Sequence, residues 1–142
     1  MTEITFHLNA GQKMDYCCRL IRKIYAAQAN LVVKANSDVL KVLDQELWSF
    51  SKVDFIPHCF VQESFEIVNL CPVVLTDTIE YLDKLPHHEV LLNIGEEIAQ
   101  GYEKFEKVIE VVGREESDKI KARLRWRYYA QRGYPISKHE VT

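Results

Sequence analysis

Glycine is scarce in this chain, with five in 142 residues, at positions 11, 95, 101, 113 and 133. None forms the glycine-rich turn that lets a backbone approach pyrophosphate, and no Gly-Lys-Ser or Gly-Lys-Thr is present, so a phosphate-loop enzyme is not expected. Asn93-Ile94-Gly95 ends an apolar run, and an ordinary strand-to-helix turn accounts for it. Cysteine is equally sparse. Cys17, Cys18, Cys59 and Cys71 lack the spacing of a disulfide framework, and a domain of this size does not need one. Neither the Cys17-Cys18 pair nor the His87-His88 pair is repeated elsewhere, as four converging zinc ligands would require. The four thiols read as small buried hydrophobes, and neither a metal nor a cofactor is expected. Long apolar runs are missing too, so no segment reaches the roughly 18–20 residues that cross a bilayer. Met1 to Phe6 has neither the basic start nor the apolar stretch of a secretory leader, and a soluble cytoplasmic protein is expected.

What is present is ordinary globular composition, 47% apolar and 27% charged. That is enough to fill one core, so residues 1–142 are read as a single domain. The net charge of −3 hides an asymmetry. Between Arg114 and Arg132 lie seven basic and three acidic residues, a net of +4; the remaining eleven basic and eighteen acidic residues leave −7. An acidic body repels polynucleotide phosphates at long range, which excludes a general nucleic-acid coat protein. One basic segment on such a body points to a local site for an acidic partner.

Hydrophobic periodicity gives the architecture. Thr2 to Leu8 reads as an opening strand, and Met14, Cys17, Cys18, Ile21, Ile24 and Tyr25 form the stripe of an amphipathic helix over about 12–29. Leu31-Val32-Val33 is a short buried strand, and Ser37 caps a second helix carrying Val39, Leu40, Leu43 and Leu47. Asp54 to His58 is extended, because Pro57 disfavours helix at Ile56. Cys71 to Leu75 and Glu89 to Ile94 are further strands, the second nearly all apolar and therefore central. Ile98 to Phe105 suggests a short helix and Lys107 to Val112 the last strand. The longest helix runs from about Glu115 to Arg132 and stops at Gly133, with Pro135 beyond. About five strands interleaved with three or four helices predict an α/β fold, a Rossmann-like open, largely parallel sheet with helices on both faces.

Two places invite chemistry. His58-Cys59 resembles a nucleophile and its base, the mark of a degenerate hydrolase, but neighbours on an extended segment point to opposite sides. The last helix says more. Lys119, Arg123 and Arg127 stand at i, i+4 and i+8 on one stripe, while Ile120, Leu124 and Tyr128 form a parallel stripe suited to packing on the sheet. Lys121, Arg125 and Arg132 lie further round, on the solvated side. Acids at the start of this helix and bases toward its end complement the macrodipole. That explains the order of signs but not the alignment of three bases. Trp126, Tyr128, Tyr129 and Tyr134 among the bases allow a second reading, a module that stacks single-stranded DNA directly.

Several stretches also resemble a known family, the chi subunit of bacterial DNA polymerase III. They are Thr5-Phe6-His7-Leu8, Leu43-Asp44-Gln45-Glu46-Leu47-Trp48, Phe55-Ile56-Pro57-His58, Leu92-Asn93-Ile94-Gly95-Glu96-Glu97 and Phe105 to Val112. The most specific is Arg125-Trp126-Arg127-Tyr128-Tyr129-Ala130-Gln131-Arg132-Gly133-Tyr134-Pro135. The resemblance implies a non-catalytic replisome adaptor with a Rossmann-like fold. Its expected partners are the psi subunit, which attaches to the clamp loader, and the acidic C-terminal tail of single-stranded-DNA-binding protein. Contact with nucleic acid is then mainly indirect, no membrane is involved, and a 1:1 heterodimer with psi is implied. Carried over motif by motif, the tail site falls on the bases Lys119, Arg123 and Arg127 and on the apolar residues Phe55 and Val112.

Overall fold

A computed structural model of the chain describes residues 2–49, 56–60, 65–77, 85 and 87–141. Seven strands, β1 (Glu3–Ala10), β2 (Leu31–Lys34), β3 (His58–Phe60), β4 (Val73–Thr76), β5 (Val90–Asn93), β6 (Lys107–Gly113) and β7 (Ile136–Glu140), make one sheet in the order β3-β4-β2-β5-β6-β1-β7. Every pairing is parallel. Among the described residues the helices are α1 (Lys13–Ala26), α2 (Ser37–Ser49), α3 (Phe65–Leu70) and α4 (Glu116–Gln131), with a 3-10 turn at Tyr102–Lys104.

Parallel strands need crossovers, and these cover both faces of the sheet. Alternation along the strands supplies two cores. Leu31, Val33, Leu92, Ile109 and Val111 face one way, under Cys17, Cys18 and Ile21 of α1 and Leu40, Leu43 and Leu47 of α2. Ile4, Phe6, Val32, Leu91, Val108 and Val112 face the other, under Ala122 and Tyr129 of α4 and Tyr102 of the 3-10 turn. The open α/β sheet with helices on both faces is therefore the fold that the periodicity predicted. β5, between β2 and β6, is the central strand.

Three local expectations need correction. Lys107–Gly113 is not the last strand, because the chain turns at Gly133 (φ +78°) and returns as β7 beside β1. β7 carries little apolar signal because it is a mostly exposed edge strand held by its ladder to β1. Ile98 to Phe105 forms only the 3-10 turn, entered through left-handed Gly101 (φ +85°). The cap of α2 is Asn36, whose Oδ1 accepts the Val39 N–H at 2.9 Å; Ser37 is already helical. Asp54 and Phe55 lie outside the described residues, and His58 opens β3.

The β1–β7 ladder pairs His7 directly with His139, and the Tyr16 hydroxyl bonds to Nδ1 of His7. Burial holds the His7 pKa down at about 4, helped by His139, Lys107 and Lys23. The folded chain therefore keeps His7 neutral where the unfolded chain would protonate it, so stability is full above the ordinary histidine value and falls between about 6.5 and 4. His7→Gln is expected to flatten this acid limb in urea titrations at stepped pH. Asn36→Ala should lower stability by about 1 kcal/mol and Ser37→Ala by clearly less, measured by the same titrations.

Candidate binding groove beside the C-terminal helix

After Lys107, β6 is apolar except for Glu110, which is fully buried and shares its face with Val108 and Val112 beneath α4. A buried carboxylate needs donors, and they determine how α4 lies. Arg125 Nε donates to Glu110 Oε1 at 3.0 Å, and the Tyr129 hydroxyl donates to Oε2 at 2.7 Å. Asn93 Nδ2 adds contacts at 3.2 and 3.1 Å, and Arg125 Nη1 ties the loop after β5 through the Glu96 carbonyl at 2.7 Å. Burial pushes the Glu110 carboxyl above the usual range, while Arg125, Tyr129 and Asn93 pull it back.

The inward face of α4 is therefore Ala122, Arg125 and Tyr129. This overturns two expectations from the sequence. Ile120 and Leu124 do not pack on the sheet but stand 50% and 59% exposed, and Arg125 is one of the most buried polar residues in the chain. Adjacent helical residues differ by about 100°, so turning Arg125 inward turns Leu124 out.

The same rotation brings the aligned bases to the edge of a groove of about 590 Å³ between α4 and the β1–β7 edge. Phe6, Leu8, Val112, Ala122 and Trp126 line it with apolar surface. Lys119, Arg123 and Arg127 border it along α4, and Asn9 and Glu140 border it from the strands. Ala122 and Ala130, one helical turn either side of Trp126, keep the floor open, and the Trp126 ring rests on Phe6 with centroids 5.0 Å apart. Asn9 adopts a left-handed conformation (φ 65°) at an irregularity in the β1–β6 register, and its amide reaches the Glu140 carboxylate at 2.5 Å. Arg123 is 67% exposed, and among the described residues its one carboxylate partner is the outlying Glu116, at 3.7 Å. Among the described residues, Lys119 and Arg127 have no carboxylate partner. Four residues singled out from the sequence, Lys119, Arg123, Arg127 and Val112, thus line one groove. The fifth, Phe55, lies outside the described residues. Its neighbour Ile56 belongs to the core under α1 and α2, and β3 is five strand intervals from β1, about 24 Å.

Other candidate chemistry is dispersed. Both ring nitrogens of His58 are engaged, Nδ1 with the Ile56 carbonyl at 2.7 Å and Nε2 with Asp44 at 2.9 Å. Cys59 points into the opposite core. Burial raises the thiols of Cys17 and Cys18 to about 12, far from a reactive thiolate. Asn93 Oδ1 accepts the Gly95 N–H at 3.0 Å, which fixes that turn from within. The tyrosines considered for base stacking are packed together. Tyr128, Tyr129 and Tyr134 all meet Tyr102 edge to face, Tyr129 has no exposure, and the Arg132 guanidinium covers the Tyr128 ring at 3.5 Å.

Comparison with known proteins places this geometry in a family. The family model described as DNA polymerase III chi subunit, HolC matches residues 1–137. DNA polymerase III subunit chi of Pseudomonas aeruginosa is 28% identical over 148 residues, covering 99% of this chain and 98% of the relative. DNA polymerase III subunit chi of Haemophilus influenzae is 23% identical over 130 residues, covering 89% and 86%.

If the buried ion pair sets the pose of α4, Glu110→Gln strands a guanidinium and should cost about 3–5 kcal/mol in chemical denaturation. Glu110→Leu combined with Arg125→Met should recover part of that loss. Recovery stays incomplete because the Tyr129 hydroxyl and the Asn93 amide still lack their acceptor.

Proposed function

The chain belongs to the DNA polymerase III chi subunit family, and from that membership we propose a non-catalytic adaptor whose groove captures the acidic C-terminal tail of single-stranded-DNA-binding protein. In this reading the psi subunit links the captured tail to the clamp loader. The observation that carries it is the meeting of three aligned cations with an apolar floor in one groove.

A tail that ends in phenylalanine with a free carboxylate presents a ring and an anion on the same residue. The ring enters between Phe6, Val112 and Trp126, where burial contributes about 1.5–3 kcal/mol. Arg123 receives the α-carboxylate through parallel N–H donors, each charge-assisted bond contributing about 1.5–3 kcal/mol. Lys119 and Arg127, without a carboxylate partner among the described residues, attract the preceding acids within a Debye length of about 8–10 Å. Ordering a flexible tail offsets part of this gain, so the complex exchanges quickly and weakens with salt. Val112 serves the floor. Phe55 keeps only the part that the resemblance implies, since its described neighbours lie toward the far edge of the sheet.

Titration of a labelled acidic tail peptide should show at least a tenfold loss of affinity for Arg123→Glu, and a similar loss for wild type when the peptide's terminal phenylalanine is removed. Equal affinity in the mutant would exclude the groove. Tighter binding of bare oligonucleotide than of peptide at matched salt would favour direct single-stranded-DNA binding instead.

A further inference from the structure

The rotation that buries Arg125 leaves Ile120 and Leu124 facing solvent one helical turn apart. On the helix they adjoin Arg123 and Arg127, so those two guanidiniums form a ridge with the groove on one side and the apolar pair on the other. We infer that this pair is a second docking strip for the same peptide, which crosses the ridge and sets apolar side chains on Ile120 and Leu124 upstream of its acidic end. The inference rests on the tail reading of the groove and adds a requirement to it: the captured segment needs apolar residues before its acids.

Charge and reach select this occupant. A second copy of the chain seated on the strip would bring Arg123 and Arg127 of both copies together, with the exposed Glu116 their one carboxylate partner among the described residues. An acidic peptide brings the opposite sign over the same ridge. From the groove to the strip is about 10 Å around a helix of this diameter, and three or four extended residues span that distance. Apolar residues about five to eight positions before the terminal carboxylate therefore land on the strip, and acids between them cover the ridge.

Fluorescence titration with two synthetic nonapeptides tests this. Both end in three acidic residues and a phenylalanine with free carboxylate. One has leucine at the fifth and seventh positions from the end, which share one side of an extended peptide, the other serine at both. On wild type the leucine peptide is expected to bind about fivefold to tenfold tighter. On Ile120→Ser/Leu124→Ser the two should bind alike, with the serine peptide keeping its wild-type affinity. Both side chains are half exposed, so the double variant should melt close to wild type. No leucine advantage on wild type, or one that survives in the double variant, overturns the strip. A self-associating wild type that becomes monomeric in the double variant, seen by sedimentation, assigns the strip to a second copy and also overturns it. Arg123→Glu separates the two levels. If it leaves both peptides bound, the groove reading has failed; if it weakens both while leucine makes no difference, only the strip has failed.

Discussion

One carboxylate, Glu110, stands without exposure in the middle of a strand, flanked on both sides by valine and isoleucine from Val108 to Val112. Such a charge is tolerated only when donors surround it, and three residues on two elements supply them: Asn93 from β5, and Arg125 and Tyr129 from α4. Because two of the donors lie one turn apart on α4, the helix has a single rotation that satisfies the acid. Everything useful about the helix follows from that rotation. It pairs Trp126 with Phe6, brings Lys119, Arg123 and Arg127 to the groove, and leaves Ile120 and Leu124 outside. An apolar residue at 110 would let the helix bury its aliphatic stripe instead, and the cations would then border a different surface.

The same fold usually offers another site, the crevice at the carboxyl ends of parallel strands where helix N-termini converge. Here the protein's own carboxylate borders it, beside a cavity of about 420 Å³. Asp118, in the first turn of α4, accepts the Gly113 N–H at 2.6 Å and pairs with Lys13 of α1 at 3.2 Å. Burial works to raise the Asp118 pKa, but the Gly113 N–H and Lys13 outweigh it and hold the group ionised below the usual range. The donors that a phosphate would need at this end of β6 are thus already engaged in joining α1 to α4. There the crevice braces α1 to α4, and the recognition site we propose is the groove between α4 and the β1–β7 edge.

Much of the architecture was legible because it rests on periodicity. Cys17, Cys18 and Ile21 announce the buried side of α1, and β2, β4 and β5 announce themselves as apolar runs between turn residues. The alignment of Lys119, Arg123 and Arg127 was legible for the same reason, since spacing alone puts them on one stripe. The inward face of α4 was not. Hydropathy favours Ile120 and Leu124 for the core, and only the acid on a different element, fifteen residues before Arg125, decides otherwise. The signal was an isolated glutamate within Val108-Ile109-Glu110-Val111-Val112, which has meaning only once the strand is known to be buried on both faces. Strand β7 was hidden for a different reason. An exposed edge strand is defined by its partner's backbone, and Ser137 to Glu140 carry no apolar alternation to report it. Cap choice at α2 lay within one residue, where Asn36 and Ser37 are both good caps and only geometry separates them.

In the adaptor we propose, one partner must be held without obstructing another, and the strand order is compatible with this. The groove lies between α4 and the β1–β7 edge, whereas β3 and the outer side of α2 are at the opposite end of the sheet, about 24 Å away. A short peptide in the groove cannot cover both. Its contacts are also of a kind that releases easily. Arg123 is largely solvated, so it gives up hydration to bind, and the acids it attracts are screened within a few ångströms at physiological salt. Apolar burial of one ring, or of one ring and two aliphatic groups, sets the lifetime, while charge sets the encounter rate. A surface built this way would engage often and let go quickly, as the proposed contact with coated template requires.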